Sequence, residues 1–184
     1  MRNVGGESRK TYVEKLSNGF FLKYMYGNGL DIGFSGYEPN VVSILAGAIG
    51  VDTTYEGYDG KILPFEDYSQ QFVYSSHCLE HISDYKQAIQ EWHRVTKIGG
   101  YIVTVVPHRD LYEKQLTLPS HWNGDHKRYY TPASLLKEFE DSLPVNSFRV
   151  RHLQDNDKGH DYNTPFHEHS HGEYEIELVI ERIK

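Results

Sequence analysis

The residues whose types and spacing speak most directly of chemistry are Gly29-Leu30-Asp31-Ile32-Gly33-Phe34-Ser35-Gly36, answered later by Asp52. A short apolar run that ends in an acid and then glycines reads as a buried strand stopping at a tight turn, where backbone can approach a ligand closely. Asp52 follows a second apolar run, Ala48-Ile49-Gly50-Val51. Its offset of about 20 residues is the one at which a carboxylate reaches ribose hydroxyls in a doubly wound sheet. Where a dinucleotide fold needs its third glycine, this chain has Tyr37-Glu38-Pro39. A bulky ring and an acid oppose a pyrophosphate, so the residues suit a nucleoside without phosphates that carries an amino-acid tail.

The histidines form the second group. His77 and His108 stand at or just after strand ends, and His126 lies in a long polar segment after the fourth strand. An imidazole titrating near neutrality is a suitable base for a hydroxyl, and these three are the candidate catalytic residues. His81 reads instead as holding a helix start. Cys78 beside His77 is no nucleophile pair, because adjacent residues rarely face each other. His167-Glu168-His169-Ser170-His171 has the alternate spacing of a metal ligand set on an extended segment. Such sites gather a further ligand and fixed outer partners. The reading here is a metal-free polar connection that overhangs the site and meets substrate hydroxyls.

Elements must position these groups. Tyr12, Val13, Leu16, Phe20 and Tyr24 predict an amphipathic helix over about 8–26, with Ser8 as N-cap and Gly27-Asn28-Gly29 as its end. Pro39 can open a short helix through Val41, Val42, Ile44 and Leu45, closing at Gly47. From 53 to 71 there is room for little more than loop, which carries Asp59-Gly60-Lys61-Ile62-Leu63-Pro64-Phe65. Phe72-Val73-Tyr74 is a third strand. Tyr85, Ala88, Ile89, Trp92 and Val95 make a helix with Asp84 in its first turn, and Tyr101 to Val106 is a strand covered on both faces. Thr131-Pro132 caps a helix through Leu135, Leu136 and Phe139, before strands at about 147–153 and 174–183. Strand, helix, strand occurs twice, which predicts an α/β fold: a right-handed parallel sheet with helices on its faces.

Composition bounds the partners. The 184 residues suit a single domain: a helix over 1–27, a ligand-binding core over 28–106, and a substrate segment with the final strands over 107–184. A net charge of −7 argues against nonspecific nucleic-acid binding. One cysteine, no apolar run long enough to span a membrane and no leader-like segment predict a reducing, cytoplasmic setting.

Leu-Asp-Ile-Gly, Val-Asp, Asp-(three residues)-Leu-Pro-Phe, Leu-Glu-His-Ile and Gly-Gly-Tyr-Ile, in this order, carry a resemblance. Over about residues 20–184 the chain resembles the class I S-adenosylmethionine-dependent methyltransferases, in particular small members associated with surface-polysaccharide biosynthesis. The resemblance implies a Rossmann-like, mostly parallel sheet with a C-terminal antiparallel hairpin, one strand-and-helix unit being shortened or missing after the second strand. It implies that Asp31, Gly33 and Gly36, with Phe34 and Ser35, hold the methionine end of S-adenosylmethionine. Asp52 and Thr53 would take the ribose, Asp59 and Gly60 would face the adenine, and Ser76 and His77 would lie beside the sulfonium. The family usually has glycine at the position of Ser35 and often at that of Tyr37. The expected activity is methyl transfer to a hydroxyl of a small acceptor, such as a sugar or sugar nucleotide. Two other functions are compatible with the residues: noncatalytic binding of S-adenosylmethionine or S-adenosylhomocysteine, and a metal-dependent hydrolase or lyase built on His167, His169 and His171.

Overall fold

The computed structural model describes residues 2–184. Six strands form one sheet in the order β2-β1-β3-β4-β6-β5. They are β1 (Gly29–Ile32), β2 (Ala48–Val51), β3 (Gln70–Ser76), β4 (Thr96–Pro107), β5 (Phe148–Asn156) and β6 (Glu175–Arg182). The first four run parallel, and β6 lies antiparallel between β4 and β5. This is the Rossmann-like arrangement with its closing antiparallel pair. The stretch from Asp52 to Ser69 is turn and loop, so the unit expected to be shortened there contributes neither strand nor helix.

Alternation along the strands divides two cores. On one face, Leu30, Ile32, Val73, Ile102, Val106, Ile176, Leu178 and Ile180 pack under α3 (Tyr85–Val95) and α4 (Pro132–Ser142). On the other, Phe72, Tyr74, Val103, Val105 and Val179 pack under α1 (Ser8–Ser17) and α2 (Phe20–Tyr24). Asp84 caps α3 by accepting from the Gln87 N–H at 3.2 Å, and Thr131 with Ser134 forms a reciprocal capping box on α4.

Two expectations need correction. The helix over about 8–26 is two helices, because Gly19 adopts φ +80 and turns the chain between them. Its cap residue is Glu7 rather than Ser8, and Val13 and Leu16 face solvent while Tyr12, Phe20 and Tyr24 are buried. The expected helix from Pro39 to Gly47 is a chain of turns and bends. Its backbone donors are taken by other partners: Val42 N–H by the Asn3 carbonyl at 3.0 Å, and Ile44 N–H by the Asp31 carboxylate at 2.6 Å. Asn40 at φ +62 also lies outside helical geometry.

Candidate active site

Two adjoining cavities open along the carboxyl ends of the parallel strands, where open α/β sheets keep their ligands. The first, of about 420 Å³, lies between the ends of β1 and β2 and the start of α3. Its walls are mostly apolar, from Ile32, Val51, Ile82 and Ala88, with Asp52, Thr53, Gly60, Ser83, Asp84 and Gln87 at polar positions. The second, of about 210 Å³, is polar and is lined by Ser76, His77, Glu80, Tyr112, His126 and Tyr174, with Gly5 to Ser8 along one wall. Gly33 and His81 line both cavities, so the two adjoin there.

Local structure fixes this geometry. Gly33 turns at φ +73, and a Cβ there would stand 2.6 Å from Cys78 Sγ, so only glycine leaves the backbone bare at the junction. Ser35 and His77, neither a glycine, also sit in the left-handed region at φ +62 and +49. Strained backbone of this kind clusters at ligand sites. The 3-10 turn Leu79–His81 follows directly. Arg128 clamps it, donating to the carbonyls of Leu79 at 2.7 Å, Ile82 at 2.5 Å and Ser83 at 3.1 Å. The Lys127 N–H donates to the Glu80 carbonyl at 2.8 Å. These bonds set His126 over Glu80 and His81, with the His81 and His126 rings edge to face at 4.8 Å.

The polar cavity holds an ordered line of charge. Lys15, on the buried face of α1, donates to Glu175 at 2.9 Å and makes an ion pair with Glu177 at 2.8 Å. Glu175 in turn faces His77 Nε2 at 3.1 Å. Burial would raise the Glu175 carboxyl, but Lys15 and His77 bring it down to about 2. Burial would lower the His77 imidazolium, but its bond to Glu175, with the charges of Glu80 and Glu7 beyond, raises it above its ordinary value. Glu80 is fully buried, and neither carboxylate oxygen has a hydrogen-bond partner. Its burial raises it, against the nearby imidazoles of His77 and His126. His126 Nδ1 meets Glu113 Oε1 at 2.5 Å, and the other Glu113 oxygen accepts from Ser120 at 2.6 Å. Cys78 is pushed up to about 12 by burial, which keeps it a neutral thiol.

The residues singled out in the sequence divide between these cavities and the layer behind them. Gly33, Asp52, Thr53 and Gly60 line the apolar cavity, and Ser35, Ser76, His77 and His126 line the polar one. Asp31 lies behind the turn, where burial pushes its carboxyl up to about 7 and Ile44 N–H binds it. Phe34 packs its ring over Gly36 and Gly50, so Phe34 and Gly36 support the turn from beneath. Asp59 turns its carboxylate into its own loop, accepting from Lys61 N–H at 2.9 Å and Ile62 N–H at 2.7 Å, and so stands away from the lining. His108 sits outside both cavities, because its Nδ1 accepts from Asp110 N–H at 3.0 Å and its Nε2 faces Asp155 at 3.6 Å. His169 packs among Tyr112, Trp122 and Tyr174, and Ser170 donates to the Leu111 carbonyl, so the 167–171 loop does seat on the segment after β4. Among the described residues, the convergent metal-ligand set is Glu80, His81 and His126, not these three loop histidines.

Sequence reasoning missed Glu7, Tyr174 and Glu175, which reach the polar cavity or its lining residues through the tertiary fold, whereas Tyr112 and Glu113 belong to the segment after the fourth strand that was expected to meet the acceptor. It quoted Glu80 only as part of a motif; a carboxylate between a strand end and a helix was the available signal. The residues present fit a nucleoside with an amino-acid tail. The backbone is bare at Gly33, the Ser76 hydroxyl is buried without a partner at the junction, and Asp52 stands at the edge of an apolar chamber.

Comparison with known proteins accords with this geometry. Residues 18–104 match the family model described as "Methyltransferase domain", while no curated protein matches the chain. The structure is similar to a chain of the complex between the Haloferax volcanii Trm112 methyltransferase activator and a methyltransferase, at TM-score 0.61 and 17% identity, covering 97% of this chain and 92% of that one. It is similar to a SAM-dependent methyltransferase from Thermotoga maritima, at 0.57 and 18%, covering 96% and 91%. A third, from Archaeoglobus fulgidus, aligns at 0.59 and 16%, covering 96% and 97%. The fold over the whole chain is that of the Rossmann-like methyltransferases, and residues 18–104 match a methyltransferase domain. More narrowly, the part that carries the glycine turn and Asp52 is a methyltransferase domain, and its cofactor is S-adenosylmethionine.

Proposed function

We propose that the chain, working as one unit over residues 1–184, transfers the methyl group of S-adenosylmethionine to a hydroxyl of a small, polar acceptor seated in the cavity of Ser76, His77, Glu80 and His126. The observation that carries this reading is an apolar chamber that adjoins a polar one across Gly33 and His81. Adenosine would lie in the first, with the Asp52 carboxylate on the ribose hydroxyls and Ser83, Asp84 and Gln87 in reach of the base. The bare backbone of Gly33 would pass the methionine end toward Ser35 and Ser76. When bound, the cofactor supplies an electrophilic methyl group on a cationic sulfur.

The chain's own residues align the acceptor and exclude water, which is most of what an in-line displacement requires. Among the histidines first considered, His77 is drawn toward its charged form by Glu175 and serves as a donor to the acceptor, and His108 faces away. His126 is oriented by Glu113 through Nδ1, which leaves its other nitrogen for the acceptor oxygen. A sugar or sugar nucleotide, as used in surface-polysaccharide biosynthesis, suits a chamber of carboxylates, imidazoles and phenols. A cytoplasmic setting accords with this reading.

Calorimetric titration with S-adenosylhomocysteine tests it. The wild type is expected to bind at micromolar concentration, and Asp52→Ala to lose about 2 kcal/mol, or some 30-fold in affinity, since a charged group's hydrogen bonds to the ribose go with it. Well-folded wild type without measurable binding would overturn the proposal. Label from methyl-labelled cofactor appearing in a hydroxyl-bearing acceptor would identify the substrate.

A further inference from the structure

We propose that Glu80, His81 and His126 bind a divalent transition-metal cation in the polar cavity, and that an acceptor oxygen completes its coordination. One ligand atom from each residue lies within 4.8 Å of the other two. A carboxylate with two imidazoles is a donor set that zinc and the neighbouring first-row cations accept, and three protein ligands leave positions open to substrate. Bonds of about 2.0–2.2 Å place neighbouring ligand atoms about 3–3.5 Å apart, so shifts of about 1 Å close the set.

Three observations point to a ligand rather than to a structural ion pair. Glu80 is buried with 0% exposure, and both its oxygens lack hydrogen-bond partners. A buried carboxylate without partners is costly, and a cation satisfies it. Its nearest imidazole nitrogens, His77 Nδ1 at 3.8 Å and His81 Nε2 at 3.9 Å, stand beyond hydrogen-bonding distance, and His77 is already committed through Nε2 to Glu175. Finally, His126 has the outer partner that metal-binding histidines use. Its Nδ1–H donates to Glu113, which Ser120 fixes in turn, so the remaining nitrogen offers its lone pair.

The cation's place in catalysis rests on the methyl-transfer reading; its binding does not. A hydroxyl coordinated there loses its proton to water more readily than a free one. An oxygen lone pair then forms the O–C bond to the methyl carbon, and the C–S bond pair returns to sulfur, leaving a neutral thioether. The oxidation state of the metal is unchanged. His126 thereby acts as a ligand, and coordination takes over the work of a free base.

The test is calorimetric titration of chelator-stripped protein with manganese chloride and with zinc chloride. S-adenosylhomocysteine binding and circular dichroism would be followed in the same variants. One equivalent binding in the micromolar range is expected. Glu80→Gln and His81→Gln should each weaken it by tenfold or more. Glu113→Gln, which touches only the outer partner, should weaken it about 10- to 100-fold. The triple variant His167→Ala, His169→Ala, His171→Ala should bind like the wild type. Wild type that binds neither cation, folded Glu80→Gln and His81→Gln that bind undiminished, or binding lost in the triple variant would each overturn the site. Cation binding with no S-adenosylhomocysteine binding would sustain the site and overturn the methyl-transfer role. Full turnover by chelator-stripped enzyme would also overturn that role and return His126 to service as a base.

Discussion

Strain and burial at single residues set the first predictions. Gly33→Ala places a methyl group 2.6 Å from Cys78 Sγ in backbone that turns at φ +73. It should lower stability by about 1–3 kcal/mol in urea titration and weaken S-adenosylhomocysteine binding. Ser35→Gly acts in reverse. It relieves φ +62, so it should keep cofactor binding and raise stability by up to about 1 kcal/mol. Asp31 has a pH signature. Its carboxyl is raised to about 7 by burial, so the folded state holds the proton more tightly than the unfolded one, and stability falls as pH rises from 3.8 toward 7. Asp31→Asn removes that loss. In urea titrations it should exceed wild type by about 1–4 kcal/mol at pH 8 and match it near pH 4. At this scale the sequence was informative for Gly33 and Asp52, whose roles follow from a turn and an offset. It was silent on which carboxylates face a cavity: Asp31 and Asp59 find backbone donors locally, whereas Glu80 finds none.

At the scale of elements, the N-terminal helix is tied to the site by charge. Lys15 on α1 meets Glu175 and Glu177 on β6, and Glu175 continues to His77. Removing one member of a buried pair strands the others, so Lys15→Met should cost about 3–5 kcal/mol by thermal or urea unfolding. The histidine link adds a pH dependence. Because His77 is raised from 6.5, its contribution is complete below pH 6.5 and is lost as pH climbs through its higher folded value. Unfolding measured from pH 6 to 9 should slope downward in wild type and flatten in His77→Gln. The strands, α3 and α4 were legible because period and caps agree with what they bury. The apolar stretch from Val41 to Leu45 misled because a helix so short is marginal in water, and tertiary partners claimed its backbone N–H groups. The partition of the N-terminal segment at Gly19 left no trace in its apolar spacing.

In the whole molecule, strand order does what no single motif announces. The parallel strands end at one edge, and β6, running the other way, begins there, which carries Glu175 beneath His77. The sequence indicated an antiparallel closing pair. That β6 lies between β4 and β5 is a matter of pairing partners, which periodicity does not encode. During synthesis this order means that one side of β4 stays without a neighbour until β6 emerges, since Tyr101 pairs with Glu181 and Pro107 with Glu175. A nascent chain halted anywhere in the long connection after β5 would expose an apolar strand edge, the feature that chaperones shield and aggregates exploit. Refolding from denaturant should therefore be slow and concentration-sensitive until β6 docks, with the active site assembled in that same late step.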